Sequence, residues 1–157
     1  MTTASISLLN PDSGLPRSSH SIEWIGDSVY LLGGEIQPRE PASPFLNILQ
    51  LNSTPSIKYQ LTQDKSVKAF RNEPSPSIRV GAASVTVNGK IYLWGGRGGK
   101  AMTPLNEDGR FWVFDGITWE QTPYPSGDIP EPRSYHSLAA IKVRILPEVL
   151  LSATIDE

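Results

Sequence analysis

Short apolar segments separated by tight turns recur along the chain. Residues 29–34 (VYLLGG) and 91–96 (IYLWGG) are apolar runs that each end in two glycines. A second apolar segment precedes each run across a two-residue turn, Gly26-Asp27 in the first case and Asn88-Gly89 in the second. Asn-Gly favours hairpins because both residues tolerate the positive φ that a tight turn requires. The pattern therefore predicts a β-hairpin at each of these places.

An arginine-led segment precedes each hairpin. Residues 16–22 (PRSSHSI) recur as 132–138 (PRSYHSL), with a looser copy at 77–83 (SIRVGAA). The arginines of successive copies are 62 and then 54 residues apart. The chain is therefore built from repeated units of slightly more than 50 residues.

Two further strand candidates follow each hairpin. They span 48–52 and 57–61 in the first unit, and 111–115 and 118–121 in the second. Four short strands at this period are typical of a blade of a β-propeller. The sequence therefore predicts an all-β propeller fold with two complete four-stranded blades and the start of a third.

The third unit departs from the repeat. At the spacing of the other units its two glycines are expected at Val149-Leu150, and residues 142–157 replace the expected turn and inner strand with an unrelated tail. Because Val143-Arg144 can be encoded by a sequence like a 5′ splice donor, our hypothesis is that the tail is intron read-through.

The predicted division of the chain follows from these units. It comprises an N-terminal segment with an outer closing strand (1–13), blade one (14–76), blade two (77–130), the start of blade three (131–141) and a non-repeat tail (142–157). A propeller ring needs about four to eight blades. We therefore expect a fragment of a ring, with exposed blade faces that can self-associate.

Composition narrows the function classes. The 157 residues contain no cysteine, 14 Lys+Arg and 16 Asp+Glu, for a net charge of −2. Without cysteine there is no disulfide, thiolate nucleophile or Cys-ligated metal. The sequence contains no cluster of basic residues, so no nucleic acid or membrane partner is predicted. No apolar run reaches the ~20 residues of a membrane span. With no signal peptide recognised, we expect a cytoplasmic or nuclear location.

The units resemble kelch repeats, whose marks are the Arg-x-x-His-Ser segment, the double glycine, an aromatic-Asp strand end and a tryptophan. The resemblance covers residues 14–141. It is strongest to fungal galactose oxidase/kelch propellers and to plant specifier proteins that redirect glucosinolate breakdown. The segments that carry it are 17–22, 33–35 with 38–41, 95–99 and 109–115.

The recurring residues are interpreted as structural. A guanidinium offers five fixed donors, so the repeated arginines are expected to bind backbone carbonyls or a carboxylate between blades. The two histidines occupy equivalent positions and are expected to be structural rather than metal ligands, and the acids Glu107-Asp108 are expected to be solvated. The residues assigned to the repeat are Arg17, His20, Gly33, Gly34, Arg79, Gly95, Gly96, Asp115, Trp119, Arg133 and His136.

Binding residues are expected where the sequence departs from the repeat, because propellers bind partners through loops on one face. Two loops follow the double glycines, 35–44 and 97–104, and should emerge on the same face. Arg97 and Lys100 can hold an anionic group there, with solvated charge as the alternative. The further candidates are Glu35, Arg39 and Trp24, the last on an inner strand that can face the channel.

Two functions remain open at this point. The first is a non-enzymatic module that binds a protein or a small anionic ligand through these loops. The second, implied by the resemblance, is a specifier-like activity with ferrous iron held by a Glu-x-x-x-Asp-x-x-x-His run and with the arginine after the double glycine contacting a sulfate. Arg97 matches that arginine, but Gly98 replaces the usual Asp and the iron run is absent.

Cofactor and catalytic expectations follow from the same residues. The chain is expected to hold no metal, no cofactor and no catalytic residue, with iron(II) reserved for a longer specifier-like parent. Copper chemistry of the galactose oxidase kind needs a Cys–Tyr crosslink, which the absence of cysteine excludes. An enzyme activity is therefore the less favoured interpretation for this chain.

Overall fold

The predicted hairpins form in both complete units of the computed structural model, which describes residues 16–42, 46–52, 58–62, 74–142 and 149–154. Every regular element in these residues is a strand, which confirms the all-β fold class. The strands are β1 (Ser18–Ile25), β2 (Ser28–Gln37), β3 (Glu40–Pro41), β4 (Leu46–Asn52), β5 (Lys58–Thr62), β6 (Ala83–Val87), β7 (Lys90–Trp94), β8 (Arg97–Gly98), β9 (Thr103–Pro104), β10 (Trp112–Phe114), β11 (Trp119–Gln121), β12 (Ser137–Lys142) and β13 (Val149–Thr154).

The two complete blades have the same strand order. In the first blade β1, β2, β4 and β5 lie side by side, and in the second the equivalent order is β6, β7, β10 and β11. All neighbouring strands are antiparallel. The turn between β6 and β7 has φ of 50° at Asn88 and 73° at Gly89, which is the positive-φ geometry that Asn-Gly favours.

The side chains of the apolar core cluster come from the second and third strands of both blades. The core cluster consists of Tyr30, Leu32, Leu46, Ile91, Leu93, Trp112 and Phe114. Tyr30 of the first blade and Phe114 of the second meet edge to face, with ring centroids 5.5 Å apart. Edge-to-face aromatic pairs add to the stabilisation from buried area. The two blades therefore share one apolar core.

The third unit contains a paired hairpin, where the sequence predicts that no inner strand follows residue 141. The assignment of residues 142–157 as a non-repeat tail stays a prediction. β12 pairs with β13 in register from Ser137↔Thr154 to Lys142↔Val149. Six residues, 143–148, connect these strands, against two in each complete blade. Thr154 therefore stands at the register position of Leu32, and Val149-Leu150 is not the place of the double glycine. The intron hypothesis stays a prediction.

Backbone hydrogen bonds join successive units in a repeated pattern. The Gly34 N–H donates to the carbonyl of Arg79 over 3.1 Å, and at the next boundary the Gly96 N–H donates to the carbonyl of Arg133 over 2.9 Å. A second pair links Gly81 N–H to Ser19 over 3.0 Å and Tyr135 N–H to Gly81 over 2.8 Å. We call the junction of units one and two the first boundary, and that of units two and three the second boundary.

The outward faces of the end units carry exposed apolar side chains. Ile22 and Trp24 on β1 are 60% and 57% exposed, and Ile141 on β12 is 52% exposed. Self-association through these faces stays a prediction. Within the described ranges, no helix is long and apolar enough to cross a membrane.

Candidate functional site at the second boundary

The repeated arginines lie beneath the double glycines. Arg79 donates from Nη1 to the Gly95 carbonyl at 3.0 Å, and Arg17 makes the equivalent bond to the Gly33 carbonyl at 3.1 Å. Both bonds span 16 residues, the spacing that the sequence repeats. Arg17 and Arg79 therefore tie the start of each complete unit to the end of its second strand.

The two arginines differ in their second partner. Arg79 is 1% exposed and forms a 2.8 Å ion pair with Glu107. Glu107 also accepts a 2.5 Å hydrogen bond from the indole of Trp112, so the expectation of a solvated Glu107 is wrong. In the first blade Arg17 faces Asn47, and with the Asn47 amide assigned so that its oxygen points to the guanidinium, that oxygen accepts from Nη1 and Nη2 at 3.0 and 3.1 Å. Burial lowers the pKa of Arg17.

The glycines permit close approach between units. A Cβ on Gly95 would lie 2.7 Å from the Arg133 carbonyl and 2.7 Å from Cε1 of His136. The φ of Gly95 is +67°, which side chains rarely adopt. His136 lies edge-on to Trp94, with ring centroids 4.9 Å apart.

The two histidines have different surroundings although they occupy equivalent positions. Both ring nitrogens of His136 are buried without a hydrogen-bond partner, and burial, with the nearby charge of Arg133, lowers the pKa of His136. His20 is exposed, and its pKa is also lowered by desolvation and by the Arg17 charge, against a hydrogen bond to the Arg17 backbone that raises it.

Asp115 and Trp119 lie at the outer edge of the second blade. The carboxylate of Asp115 accepts from the N–H groups of Ile117 and Thr118 at 2.8 Å each, and these bonds lower the pKa of Asp115. Trp119 packs on Phe114 with centroids 4.8 Å apart. Both residues therefore shape the turn and packing of the blade.

Each double glycine is followed by a short hairpin that the sequence patterns did not predict. β2 continues to pair with β3, and β8 pairs with β9. The hairpins close with equivalent bonds, from Ala42 N–H to Gly34 at 2.8 Å and from Leu105 N–H to Gly96 at 2.9 Å. The two candidate binding loops therefore leave equivalent places on adjacent blades.

The two candidate residues in the first hairpin, Glu35 and Arg39, bond to each other at its turn. Oε2 of Glu35 accepts from the backbone N–H of Arg39 at 3.0 Å, and Arg39 has a φ of 66°. Trp24 lies elsewhere, on the exposed face of β1, where its indole donates to the Gly26 carbonyl. These three residues are therefore not gathered at one site by any contact among the described residues.

In the second hairpin, the side chain of Arg97 contacts Tyr135 of the third unit. Arg97 bridges to Val80 through two backbone bonds of 2.9 Å, and its guanidinium lies over the ring of Tyr135, 4.6 Å from the centroid. Nη2 of Arg97 donates to the Tyr135 hydroxyl at 2.7 Å. Lys100 is exposed near the tip of the same hairpin, beside the Gly99–Met102 turn. We call Arg97 and Tyr135 the Arg97–Tyr135 pair.

Tyr135 was not among the site residues predicted from the sequence. Its position within a repeated segment made it look structural, although the sequence itself carries a signal: the equivalent residues are Ser19 and Gly81, so the aromatic side chain is particular to the third unit. Among the described residues, no group of three or more His, Asp or Glu side chains is arranged to hold a metal ion.

The repeated blades and their boundaries define a protein of the β-propeller class. No protein-family model matches the chain. Host cell factor of Drosophila melanogaster is 30% identical over 145 residues, 84% of this chain and 9% of that protein. N-(sulfonatooxy)prop-2-enimidothioate sulfolyase of Thlaspi arvense is 33% identical over 129 residues, 80% of this chain and 33% of that protein.

A third relative carries the name of the repeat itself. Kelch-like protein terF of Aspergillus terreus is 30% identical over 128 residues, 82% of this chain and 25% of that protein. The chain spans a third or less of the length of each of these relatives. Together with the repeated blades, these similarities show that the chain is a kelch-repeat protein.

Proposed function

We propose that the chain is a kelch-repeat binding module whose hairpin after the second double glycine binds an oxyanion carried by its ligand. Arg97 is the main binding residue, and Lys100 adds positive charge at the tip of the same hairpin. The hairpin after the first double glycine leaves the equivalent place on the adjacent blade, and Glu35 and Arg39 lie at its turn. The module needs no catalytic residue for this role.

The observation that carries the proposal is the state of the Arg97 side chain. Among the described residues its side-chain hydrogen bonding is confined to Nη2 and Tyr135, which leaves Nη1 without a protein partner. A guanidinium with unused donors in a fixed fork matches the oxygens of a sulfate, phosphate or carboxylate. Stacking on a tyrosine ring holds the cation in place without consuming its charge.

A specifier-like role is the second candidate, and the similarity to the Thlaspi sulfolyase favours it. The name of that relative contains a sulfonatooxy group. An Arg97 site for a sulfate ester fits such a substrate. In this alternative the present chain supplies the sulfate contact, and a longer parent supplies the ferrous iron and any lyase activity.

The test is a titration of the isotope-labelled 157-residue chain with methyl sulfate, followed by NMR at constant ionic strength. Methyl sulfate is a probe that carries the oxyanion and little else. We expect saturable shifts of the amides of residues 96–100 in the unchanged chain. Arg97→Ala should abolish these shifts, because it removes the fork of donors.

Lys90→Ala is the matched control. Lys90 carries the same charge as Arg97 but begins β7, whereas Arg97 follows the end of β7. The ion pair of Lys90 with Glu120 is long, at 3.7 Å, and exposed. This variant should bind methyl sulfate as the unchanged chain does. Absence of saturable shifts in the unchanged chain, or equal losses in both variants, would overturn the oxyanion site.

A further inference from the structure

The position two residues after each repeated arginine has a left-handed backbone in all three units. The φ values are 57° at Ser19, 65° at Gly81 and 60° at Tyr135. This conformation aligns the backbone for the bonds from Gly81 N–H to Ser19 and from Tyr135 N–H to Gly81. The backbone requirement is therefore common to the three units and does not depend on the side chain.

A tyrosine is a poor choice for this conformation on backbone grounds alone. Glycine adopts positive φ without a steric penalty, whereas bulky side chains rarely do. Residues held in such conformations concentrate at functional sites, where the surrounding structure maintains them. The tyrosine of the third unit therefore needs an explanation from its side chain.

Core packing does not supply that explanation, because Tyr135 is 54% exposed. One side of its ring lies against Gly81, where an added Cβ would be 3.0 Å from both Cδ1 and Cε1. The guanidinium of Arg97 lies over the ring, and the hydroxyl accepts from Nη2 at 2.7 Å. The ring thus fits a space that glycine leaves open, and both of its polar features engage Arg97.

The first boundary lacks this arrangement. Glu35 stands at the position equivalent to Arg97, and Gly81 stands where the second boundary has Tyr135. Glu35 bonds to the turn of its own hairpin instead of to the next unit. Within the described residues, a side-chain contact between the first residue after the double glycine and the following unit is therefore found at the second boundary, between Arg97 and Tyr135.

We propose that Tyr135 is a positioning residue that fixes the guanidinium of Arg97 for oxyanion binding across the second boundary. The inference rests on the proposed function and adds that the binding site is complete when the third unit is docked on the second. An arginine held in its bound orientation loses less conformational entropy when the ligand arrives. The ligand class is a sulfate monoester or a similar small oxyanion.

Two variants of Tyr135 separate its features. Tyr135→Phe keeps the ring and removes the hydroxyl, while Tyr135→Ser introduces the residue that the first unit uses in the same backbone conformation. One hydrogen bond lost corresponds to about a three- to tenfold change in affinity. We expect Tyr135→Phe to weaken methyl sulfate binding by about this factor and Tyr135→Ser to weaken it further.

The side-chain NMR signals of Arg97 distinguish a positioning role of Tyr135 from a purely structural one. They would not change if Tyr135 served the fold alone. In the unchanged chain we expect slow rotation about the Cζ–Nη bonds and resolved Nη signals, and in Tyr135→Ser averaged signals. Urea unfolding of each variant reports whether the fold is retained. If Tyr135→Ser does not fold, Tyr135→Phe alone decides the question.

The outcomes distinguish this inference from the proposed function. Loss of binding in Arg97→Ala together with unchanged affinity in folded Tyr135→Phe and Tyr135→Ser would overturn the role of Tyr135 and leave the oxyanion site intact. Unchanged binding in Arg97→Ala would overturn the oxyanion site itself. Graded weakening across both tyrosine variants, with Arg97 signals averaged in the serine variant, supports the inference.

Discussion

The two blade boundaries share a backbone and differ in their side chains. At each boundary the second glycine of a double glycine donates to the carbonyl of the next repeated arginine. At each boundary a left-handed residue also donates to the equivalent residue of the preceding unit. Aromatic rings meet across both boundaries, but the hydrogen-bonding side chains differ: a carboxylate and hydroxyls across the first, and a guanidinium and a tyrosine across the second.

The first boundary is a closed polar network. Both carboxylate oxygens of Glu23 accept hydroxyl hydrogen bonds from the second blade, at 2.7 Å from Ser84 and 2.5 Å from Thr86. Ser21 adds a 2.8 Å bond to the carbonyl of Ala82. The donors and acceptors in this network satisfy one another. The first boundary therefore joins blades and leaves little capacity for a ligand.

The second boundary keeps unused polar capacity. Arg97 has an unpartnered Nε, and neither ring nitrogen of His136 has a partner. Buried polar groups usually find partners, so those without one call for an explanation. The repeated backbone bonds therefore hold the fold together, whereas side chains that differ between equivalent positions form the candidate site.

The largest expected effect comes from the repeated arginines. Arg79→Ala removes a buried partner of Glu107, and breaking such a pair costs about 3–5 kcal/mol of unfolding free energy. Arg133→Ala should cost about 1 kcal/mol, because its recorded hydrogen bond joins Nε to the exposed backbone of Glu131. Urea unfolding of both variants measures the difference. Equal losses of unfolding free energy in the two variants would contradict the larger contribution that we assign to Arg79.

The next effect isolates the contact between units at the second boundary. Gly95→Ala and Gly89→Ala both place a side chain at positive φ, but an added Cβ meets the third unit at Gly95 and nothing within 4 Å at Gly89. We expect a loss of about 1 kcal/mol for Gly89→Ala from backbone strain and about 2–4 kcal/mol for Gly95→Ala, which adds overpacking. Matching urea midpoints in the two variants would argue against close packing of the third unit.

A smaller effect tests the network at the first boundary. Thr86→Val removes one hydroxyl from Glu23 and should cost about 1–2 kcal/mol, since the carboxylate loses a donor. The same substitution in a Glu23→Val background should cost little, because the partner is already gone. Urea unfolding of the four chains completes the double-mutant cycle. Additive losses would show that the hydroxyl and the carboxylate do not interact.

The smallest effect is the pH dependence that His136 gives to the second boundary. Because the folded pKa lies below the unfolded value of about 6.5, the folded chain binds fewer protons in the interval between them. Stability from neutral His136 is present above pH 6.5 and is lost as the pH falls below it. The difference between the urea midpoints at pH 7.5 and pH 5.0 should be reduced more by His136→Gln than by His20→Gln, because His20 is exposed. A larger change in His20→Gln would reverse this assignment.

The blade strands could be predicted from sequence because their causes are local. The Asn88-Gly89 turn between two apolar segments specifies a hairpin from neighbouring residues alone. The constant spacing from arginine to double glycine then predicted equivalent units. The short strands β3, β8 and β9 were not predicted, because two-residue strands leave no periodic pattern.

The candidate site was predicted in part. Arg97 stood out because its loop departs from the repeat, whereas its partner Tyr135 lies 38 residues away in a segment that looks repetitive. The burial of Glu107 was missed for the same reason, since its partner Arg79 belongs to the start of the unit. Contacts between distant residues depend on how the blades stack, and a single repeat pattern does not specify the side chains that meet there.

Hydrogen exchange at four amides tests most directly the claim that a common backbone carries a site at one boundary. The N–H groups of Gly34 and Gly81 report on the first boundary, and those of Gly96 and Tyr135 report on the second. We predict protection of all four in the free chain, and further protection with methyl sulfate at Gly96 and Tyr135 alone. Unprotected amides in the free chain, or an equal gain at all four, would contradict the account.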